Sequence, residues 1–230
     1  MAKKEQVAQM FNNIAPKYDF LNTLLSFGIH GIWRKKAIKL LQPNAPKLIL
    51  DIATGTGDFA IEAIKLNPDK IIGVDISAGM LRLGNEKITR LGLGNKIILQ
   101  QGDSENLPFD DGYFDAVTVA FGVRNFEHLD LGLSSILRVL KPGGTLVVLE
   151  FSKPNLPVIK QLYQLYSRFI MPTIGKFFSK DSYAYSYLPA SVSKFPDGIH
   201  FVDILKKNGF IHTNHYPLTF SIATIYIGKK

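Results

Sequence analysis

The 230-residue chain contains no cysteine, which removes disulfide frameworks, thiolate-ligated zinc and thiol nucleophiles and is compatible with a reducing compartment. It also lacks any apolar run near the roughly 18 residues that would mark a membrane span. The opening stretch MAKKEQVAQMF has no extended apolar core behind its lysines. Neither a signal peptide nor a span is therefore expected, and the expected location is cytoplasmic, with peripheral contact at the inner face of the membrane as an open addition. Internal repeats, low-complexity linkers and long charge blocks are missing as well. The net charge of +8 comes from scattered lysines and arginines and does not by itself select nucleic acid, anionic membrane or acidic substrate. With no aromatic-basic RNA motif, nucleic acid is not an expected partner; no metal site is expected either.

What is present is enough apolar material, 46% of the residues, for one substantial core. The reading is a single domain over 1–230: helical segments in 1–45, a ligand-binding half in 47–152, and helices with a terminal strand pair in 153–230. The most informative segment is LILDIATGTGD, Leu48 to Asp58. Its β-branched run ends in an acid, a Gly-Thr-Gly turn and a second acid that opens a helical pattern, as in a buried parallel strand feeding a crossover helix. Gly55 and Gly57 permit the sharp turn and the close approach of a ligand. Gly55 to Ala60 also satisfies the dinucleotide fingerprint G-x-G-x-x-G/A.

Charge separates the two ligands that this turn admits. Pyrophosphate requires the positive end of a helix, whereas this helix begins with Asp58 and lies near Asp51. S-adenosylmethionine has no phosphate, and its ammonium and sulfonium groups suit carboxylates. Asp75, ending the apolar run IIGVD, is placed to accept ribose hydroxyls, and Asp103, after KIILQQG, to accept the adenine amine. Singly, each acid is equally well a helix cap or a solvated loop residue; together they mark one sheet edge.

From Lys47 the pattern alternates: strand 47–53, helix 58–67, strand 70–75, helix 77–92 capped by Ser77, strand 96–101. A fourth strand, FDAVTVAF, and a fifth, TLVVLEFS, follow, joined by a helix and the Lys141-Pro142-Gly143-Gly144 turn. This predicts an α/β fold with five parallel strands. Thr213 to Thr219 and Phe220 to Gly228 read as a terminal antiparallel pair.

Two long segments carry a resemblance. YDFLNTLLSFGIHGIW, with Tyr18, Asp19, Asn22, Ser26, His30 and Trp33, and RVLKPGGTLVVLEFS, Arg138 to Ser152, are similar to signatures of the ubiquinone/menaquinone biosynthesis C-methyltransferase family, within the class I S-adenosylmethionine-dependent methyltransferases. Leu21 stands where that family commonly has Met, a volume-conserving difference. The resemblance implies a Rossmann-like seven-stranded sheet of order 3-2-1-4-5-7-6 with strand 7 antiparallel, and an N-terminal helical lid. It implies cofactor contacts from Thr56, Asp75, Asp103 and Ser104, with Gly55 and Gly57 shaping the turn. Ala120 departs from relatives that have Ser there. The implied reaction is methylation of a ring carbon of demethylmenaquinol, a polyprenylated quinol; a ubiquinone precursor is the alternative.

For such chemistry the candidates are Arg124 and Asn125, just past the fourth strand. Arg124 stays protonated, so its role would be to stabilise a phenolate or orient water; a salt bridge is the plainer reading. His128 is a candidate base, though a lone loop histidine is more often solvated. Tyr18 and Asp19 read equally as lid residues or as packing and a cap; His30 and Trp33 read as packing. Leu156 to Phe178 has the composition of a lipid-tail or interfacial segment, though a broadly apolar helix is more often simply buried. Ala184 to Gly198, with Tyr185, Tyr187 and Phe195, reads as pocket wall or ordinary packing. An NAD-dependent oxidoreductase and a basic RNA-binding protein on the same scaffold are the competing readings.

Overall fold

A computed structural model describes residues 3–166, 169 and 182–230. Three helices, α1 (Lys4–Ile14), α2 (Tyr18–Leu25) and α3 (Ile29–Lys39), precede an alternating unit: β1 (Leu48–Ile52), α4 (Asp58–Ala63), β2 (Lys70–Asp75), α5 (Ala78–Arg90), β3 (Ile97–Gln101), β4 (Phe114–Ala120), α6 (Leu129–Val139) and β5 (Leu140–Phe151). There follow α7 (Pro157–Leu165), α8 (Ser182–Lys194), α9 (Ile199–Lys207), β6 (Ile211–Leu218) and β7 (Ala223–Lys229). The seven strands form one sheet of order β3-β2-β1-β4-β5-β7-β6. β1 to β5 run parallel, and β7 pairs antiparallel with both β5 and β6.

The apolar β1 run is explained by its central place, because helices cover both faces of a parallel sheet. Leu50 and Ile52 point into a layer shared with Leu133, Ile136 and Leu205, and Ile49 into the opposite layer with Trp33, Phe59 and Leu81. Each such fully buried side chain contributes about 1.5–3 kcal/mol. Ser77 caps α5, its hydroxyl accepting from the Met80 amide at 3.2 Å, and Gly92 follows at φ 67° as the pattern predicts.

Three boundaries differ from the sequence expectation. The helix expected over 58–67 is α-helical only to Ala63, then tightens to a 3-10 turn, Ile64–Leu66, and stops at left-handed Asn67. The Lys141–Gly144 turn falls within β5: Leu140 already pairs with Phe114, and the register resumes at Thr145 opposite Ala116. Between the terminal strands, Thr219, Phe220 and Ser221 all have positive φ, so Phe220 belongs to a turn and β7 begins at Ala223. Of 156–178, residues 167–168 and 170–178 lie outside the described residues, as does the side chain of Tyr185. Phe195 packs on Phe201, ring centroids 5.0 Å apart, inside the core. No helix among the described residues is long and apolar enough to cross a membrane.

Candidate active site at the carboxyl ends of β1, β2 and β4

The strand order reverses between β1 and β4, and the crevice beyond their carboxyl ends is where open α/β sheets bind ligands. Here both strands end in unusual backbone: Ala53 and Phe121, neither a glycine, have φ of 52° and 55°, a conformation worth about 1–3 kcal/mol of strain and typical of functional sites. Gly122 fits between them because a Cβ there would collide with Ala53 Cβ. Gly55 and Gly57 are left-handed, with φ of 56° and 81°, which is the turn that the Gly-Thr-Gly sequence demands.

Two cavities meet at this edge, sharing Phe11, Tyr18, Ala53, Gly55, Ala120 and Phe121 as walls. The smaller, about 70 Å³, is lined by Asp75, Asp103, Ser104 and Asn125. The larger, about 420 Å³, is lined by Asp51, Thr56, Asp58, Arg124 and many apolar and aromatic side chains; its volume suits a small organic ligand. Gly57 shapes the turn from behind, and His128 lines neither cavity; it is exposed, immediately before α6, where its backbone N–H donates to Glu105.

The four acids expected to act together fall into two kinds. Asp58 is held by Arg34 at 2.9 Å and Lys87 at 2.8 Å, and these cations outweigh its burial and lower its pKa. Asp103 accepts from Lys4 Nζ at 2.6 Å. Asp51 and Asp75, by contrast, have no ion-pair partner among the described residues. Asp51 is 1% exposed and accepts from the hydroxyls of Thr54 at 2.6 Å and Thr118 at 2.7 Å. Burial nevertheless raises its pKa from 3.8 to about 6. Asp75 accepts from the amides of Gly55 and Ser77, one on each oxygen and both at 2.8 Å, while burial raises its pKa too. With the Ile76 amide also bonding to it, the carboxylate still has acceptor capacity for a further donor. The charge that disfavours phosphate here is thus that of Asp51 more than that of Asp58.

Arg124 is nine-tenths buried. Its Nη1 donates to Glu150 Oε1 at 2.7 Å and to the Phe121 carbonyl, its Nε donates to Ser191 at 3.3 Å, and its guanidinium lies 5.5 Å from the Phe151 ring centroid. Glu150, fully buried, also accepts from the backbone amides of Arg124 and Phe151. Burial raises the Glu150 pKa against the opposing effect of Arg124. The same guanidinium acts on the buried phenols of Tyr18 and Tyr163, whose pKa values burial drives up. Asn125 faces the other cavity and accepts from Tyr187 OH at 3.0 Å.

The helices α1 and α2 close over this edge through the polar contacts of Lys4, Asn12 and Asp19. Lys4 reaches Asp103 and Glu105; Asn12 Oδ1 accepts from the Ser77 hydroxyl at 2.8 Å and the Gly79 amide at 2.9 Å; Asp19 accepts from Thr56 Oγ1 at 2.6 Å and Lys87 at 2.5 Å. Asp19 is therefore engaged with the glycine turn, and Tyr18 stands in the wall between the cavities. His30, contacting Ser26, and Trp33, donating to Thr219 at 2.9 Å, line the larger cavity. Arg34, Lys87 and Glu150 were not among the sequence candidates. A signal existed for Glu150, a charge inside the apolar run TLVVLEF, since a buried charge requires a partner.

The family model described as the ubiE/COQ5 methyltransferase family matches residues 1–230. A demethylmenaquinone methyltransferase of Bacteroides fragilis is 51% identical over 229 residues, covering 99% of this chain and 94% of its own. A ubiquinone/menaquinone biosynthesis C-methyltransferase of Geobacter sulfurreducens is 45% identical, covering 99% and 90%. Among solved structures, an S-adenosylmethionine-dependent methyltransferase from Thermotoga maritima superposes with a TM-score of 0.69 at 19% identity, over 96% of this chain and 99% of that one. Human N-acetylserotonin methyltransferase, solved with S-adenosylmethionine, gives 0.66 at 19% identity, over 100% and 60%.

Proposed function

The chain belongs to the ubiE/COQ5 methyltransferase family, and from that premise we propose that it methylates a ring carbon of demethylmenaquinol, using S-adenosylmethionine. The observation that carries the reading is Asp51: a buried carboxylate without a cation partner among the described residues, in the wall of an apolar chamber, beside a turn flanked by Asp75. Such a group is destabilising unless a positive ligand offsets its burial. The residues present fit the cofactor. Asp51 and the Gly55–Gly57 turn would hold the cationic end, Asp75 the ribose hydroxyls, and Asp103 with Ser104 the base. S-adenosylmethionine, when bound, supplies an electrophilic methyl group on sulfonium.

The protein's own task is to make the acceptor carbon nucleophilic and keep water away. Arg124 cannot act as a base, but its guanidinium stabilises the phenolate left when a water takes the phenolic proton, and so raises the electron density at the adjacent carbon, which gives up its own ring proton to water after accepting the methyl group. Glu150, Ser191 and the Phe121 carbonyl hold it in one orientation. Tyr18 and Tyr163 remain protonated because burial raises their pKa, so they serve as hydrogen-bond donors. Asn125, by accepting from Tyr187, ties α8 to the partition between cavities. The chamber's apolar walls exclude solvent from the reacting atoms, and α1 and α2 act as the lid. His128, exposed, has no part in this scheme.

The test is transfer of labelled methyl to reduced demethylmenaquinone with a short tail, run beside a reduced ubiquinone precursor. Labelled menaquinone is expected. Transfer to the benzoquinol alone would reassign the substrate, and no transfer to either would overturn the reading.

A further inference from the structure

The chamber opens onto a surface with several exposed apolar side chains. Phe27, 81% exposed, Leu162 and Phe220 stand in the chamber wall and yet project most of their surface to solvent. They come from three separate places: the end of α2, the middle of α7 and the turn before β7. Tyr166 OH donates to the Leu25 carbonyl at 2.5 Å, which fastens α7 to the end of α2. α7 has no buried residue. Its inner side, Ile159 and Tyr163, lines the chamber, while Val158, Leu162 and Leu165, spaced four and three apart, are each more than half exposed. That spacing makes one continuous apolar stripe along the helix. Scattered exposed apolar residues need no explanation, but a contiguous patch around a cavity mouth does.

Charge identifies the occupant. The chain has no acidic residue between Asp19 and Asp51, between Glu150 and Asp181, or after Asp203, and these stretches supply α2 beyond Asp19, α3, α7 and the β6–β7 turn. Their exposed cations include Lys35 and Lys36, one turn beyond exposed Ile32 on α3, and Lys160 on α7; none of the three has an ion-pair partner among the described residues. Exposed apolar residues on elements that carry unpaired lysines, with no acid on α3, α7 or the β6–β7 turn, complement an anionic bilayer, where lysines meet headgroups and the apolar tips enter the acyl boundary. A protein partner of ordinary mixed charge would not call for the absence of acids.

We propose that this rim seats on an anionic lipid surface, with the chamber mouth facing the acyl region so that the tail of a lipid-borne substrate passes directly into the protein. The threading rests on the quinol reading of the chamber; the surface itself does not.

The test uses the full chain, and a variant carrying Val158→Glu and Leu165→Glu, both outside the chamber wall. Sedimentation is measured with phosphatidylcholine vesicles and with vesicles containing roughly one-third phosphatidylglycerol, at low and high salt. Turnover is measured on a soluble short-tailed quinol and on a long-tailed quinol embedded in the same vesicles. The wild type is expected to bind the anionic vesicles, less so in high salt; the variant should lose binding about tenfold or more and lose the embedded substrate, while keeping the soluble one. Turnover of the soluble quinol with no vesicle binding at low salt, or equal binding by the variant, would overturn the surface. So would RNA that binds the same surface and competes away the vesicles. Vesicle binding with no turnover of either quinol would overturn the chamber reading, and the threading with it.

Discussion

Replacing Asp51 by asparagine should make the protein more stable and the enzyme worse. Asp51 is buried, and its carboxyl is raised from 3.8 to about 6, so the folded state binds a proton that the unfolded chain releases. An acid shifted in this direction carries no penalty below about pH 4, an increasing one as pH rises, and the full one above about pH 6. At about 1.4 kcal/mol per pH unit the full penalty is about 3 kcal/mol. A neutral asparagine would carry none. It keeps an acceptor for one of the two threonine hydroxyls, and its amide can donate to the other, so rearranged hydrogen bonding returns at most about 1 kcal/mol per bond. Urea unfolding of Asp51→Asn and wild type should therefore show the variant level with or up to about 2 kcal/mol below wild type near pH 4 and about 1–3 kcal/mol above it near pH 8. Calorimetry should show cofactor affinity falling about 10- to 100-fold, as a charge-assisted contact is lost. A stability difference that does not change with pH, or a variant less stable than wild type near pH 8, would refute the claim that this carboxylate is held at the expense of the fold.

The other predictions concern the partners of the site. Arg124→Ala should reduce kcat by about two orders of magnitude with cofactor affinity nearly intact; it also leaves Glu150 buried and alone, at about 3–5 kcal/mol by urea unfolding, and the double variant Arg124→Met, Glu150→Leu should recover stability without turnover. Normal kcat in Arg124→Ala would remove the guanidinium from the chemistry. Lys87→Met breaks the contacts to Asp19, Thr56 and Asp58, so amide exchange in α1 and α2 should accelerate while β1 and β4 stay protected; unchanged exchange would show that the helices are held without it. Gly84→Ala puts a Cβ 2.5 Å from Leu99 Cδ1 and 3.2 Å from the Thr56 carbonyl carbon, which should destabilise by about 1–3 kcal/mol and weaken cofactor binding through the displaced turn; a neutral effect on both would mean that the turn is free to shift.

Much of this molecule is legible in the chain because its strands are buried on both sides. The bounds of β2 come directly from an apolar run between Lys70 and Asp75, and α5 from a capping Ser77 and a glycine stop. The turn between β6 and β7 is not legible: Thr219, Phe220 and Ser221 adopt positive φ without glycine or asparagine, and an apolar Phe220 reads as strand. The carboxylates of the site are visible because each lies at or just beyond the carboxyl end of a strand. Their neutralisation is not, since Arg34, Lys87 and Lys4 arrive from elements distant in sequence, and helical periodicity records which face is apolar without recording what a lysine on the polar side will reach. Glu150 lies between these cases: an acid within an apolar strand announces that a cation must meet it, but leaves Arg124 to be found by folding.

Phe11 and Tyr18 belong to the walls of both cavities, so the two chambers have one roof. Any excursion of α1 and α2 opens both cavities at once along this shared wall, while the larger keeps its own mouth beside Phe27, Leu162 and Phe220. Under the proposed reaction the lifetime of the raised helices sets the pace of the spent donor, the methylated ring has the mouth as a second way out, and a substitution at either aromatic ring will be felt in both cavities.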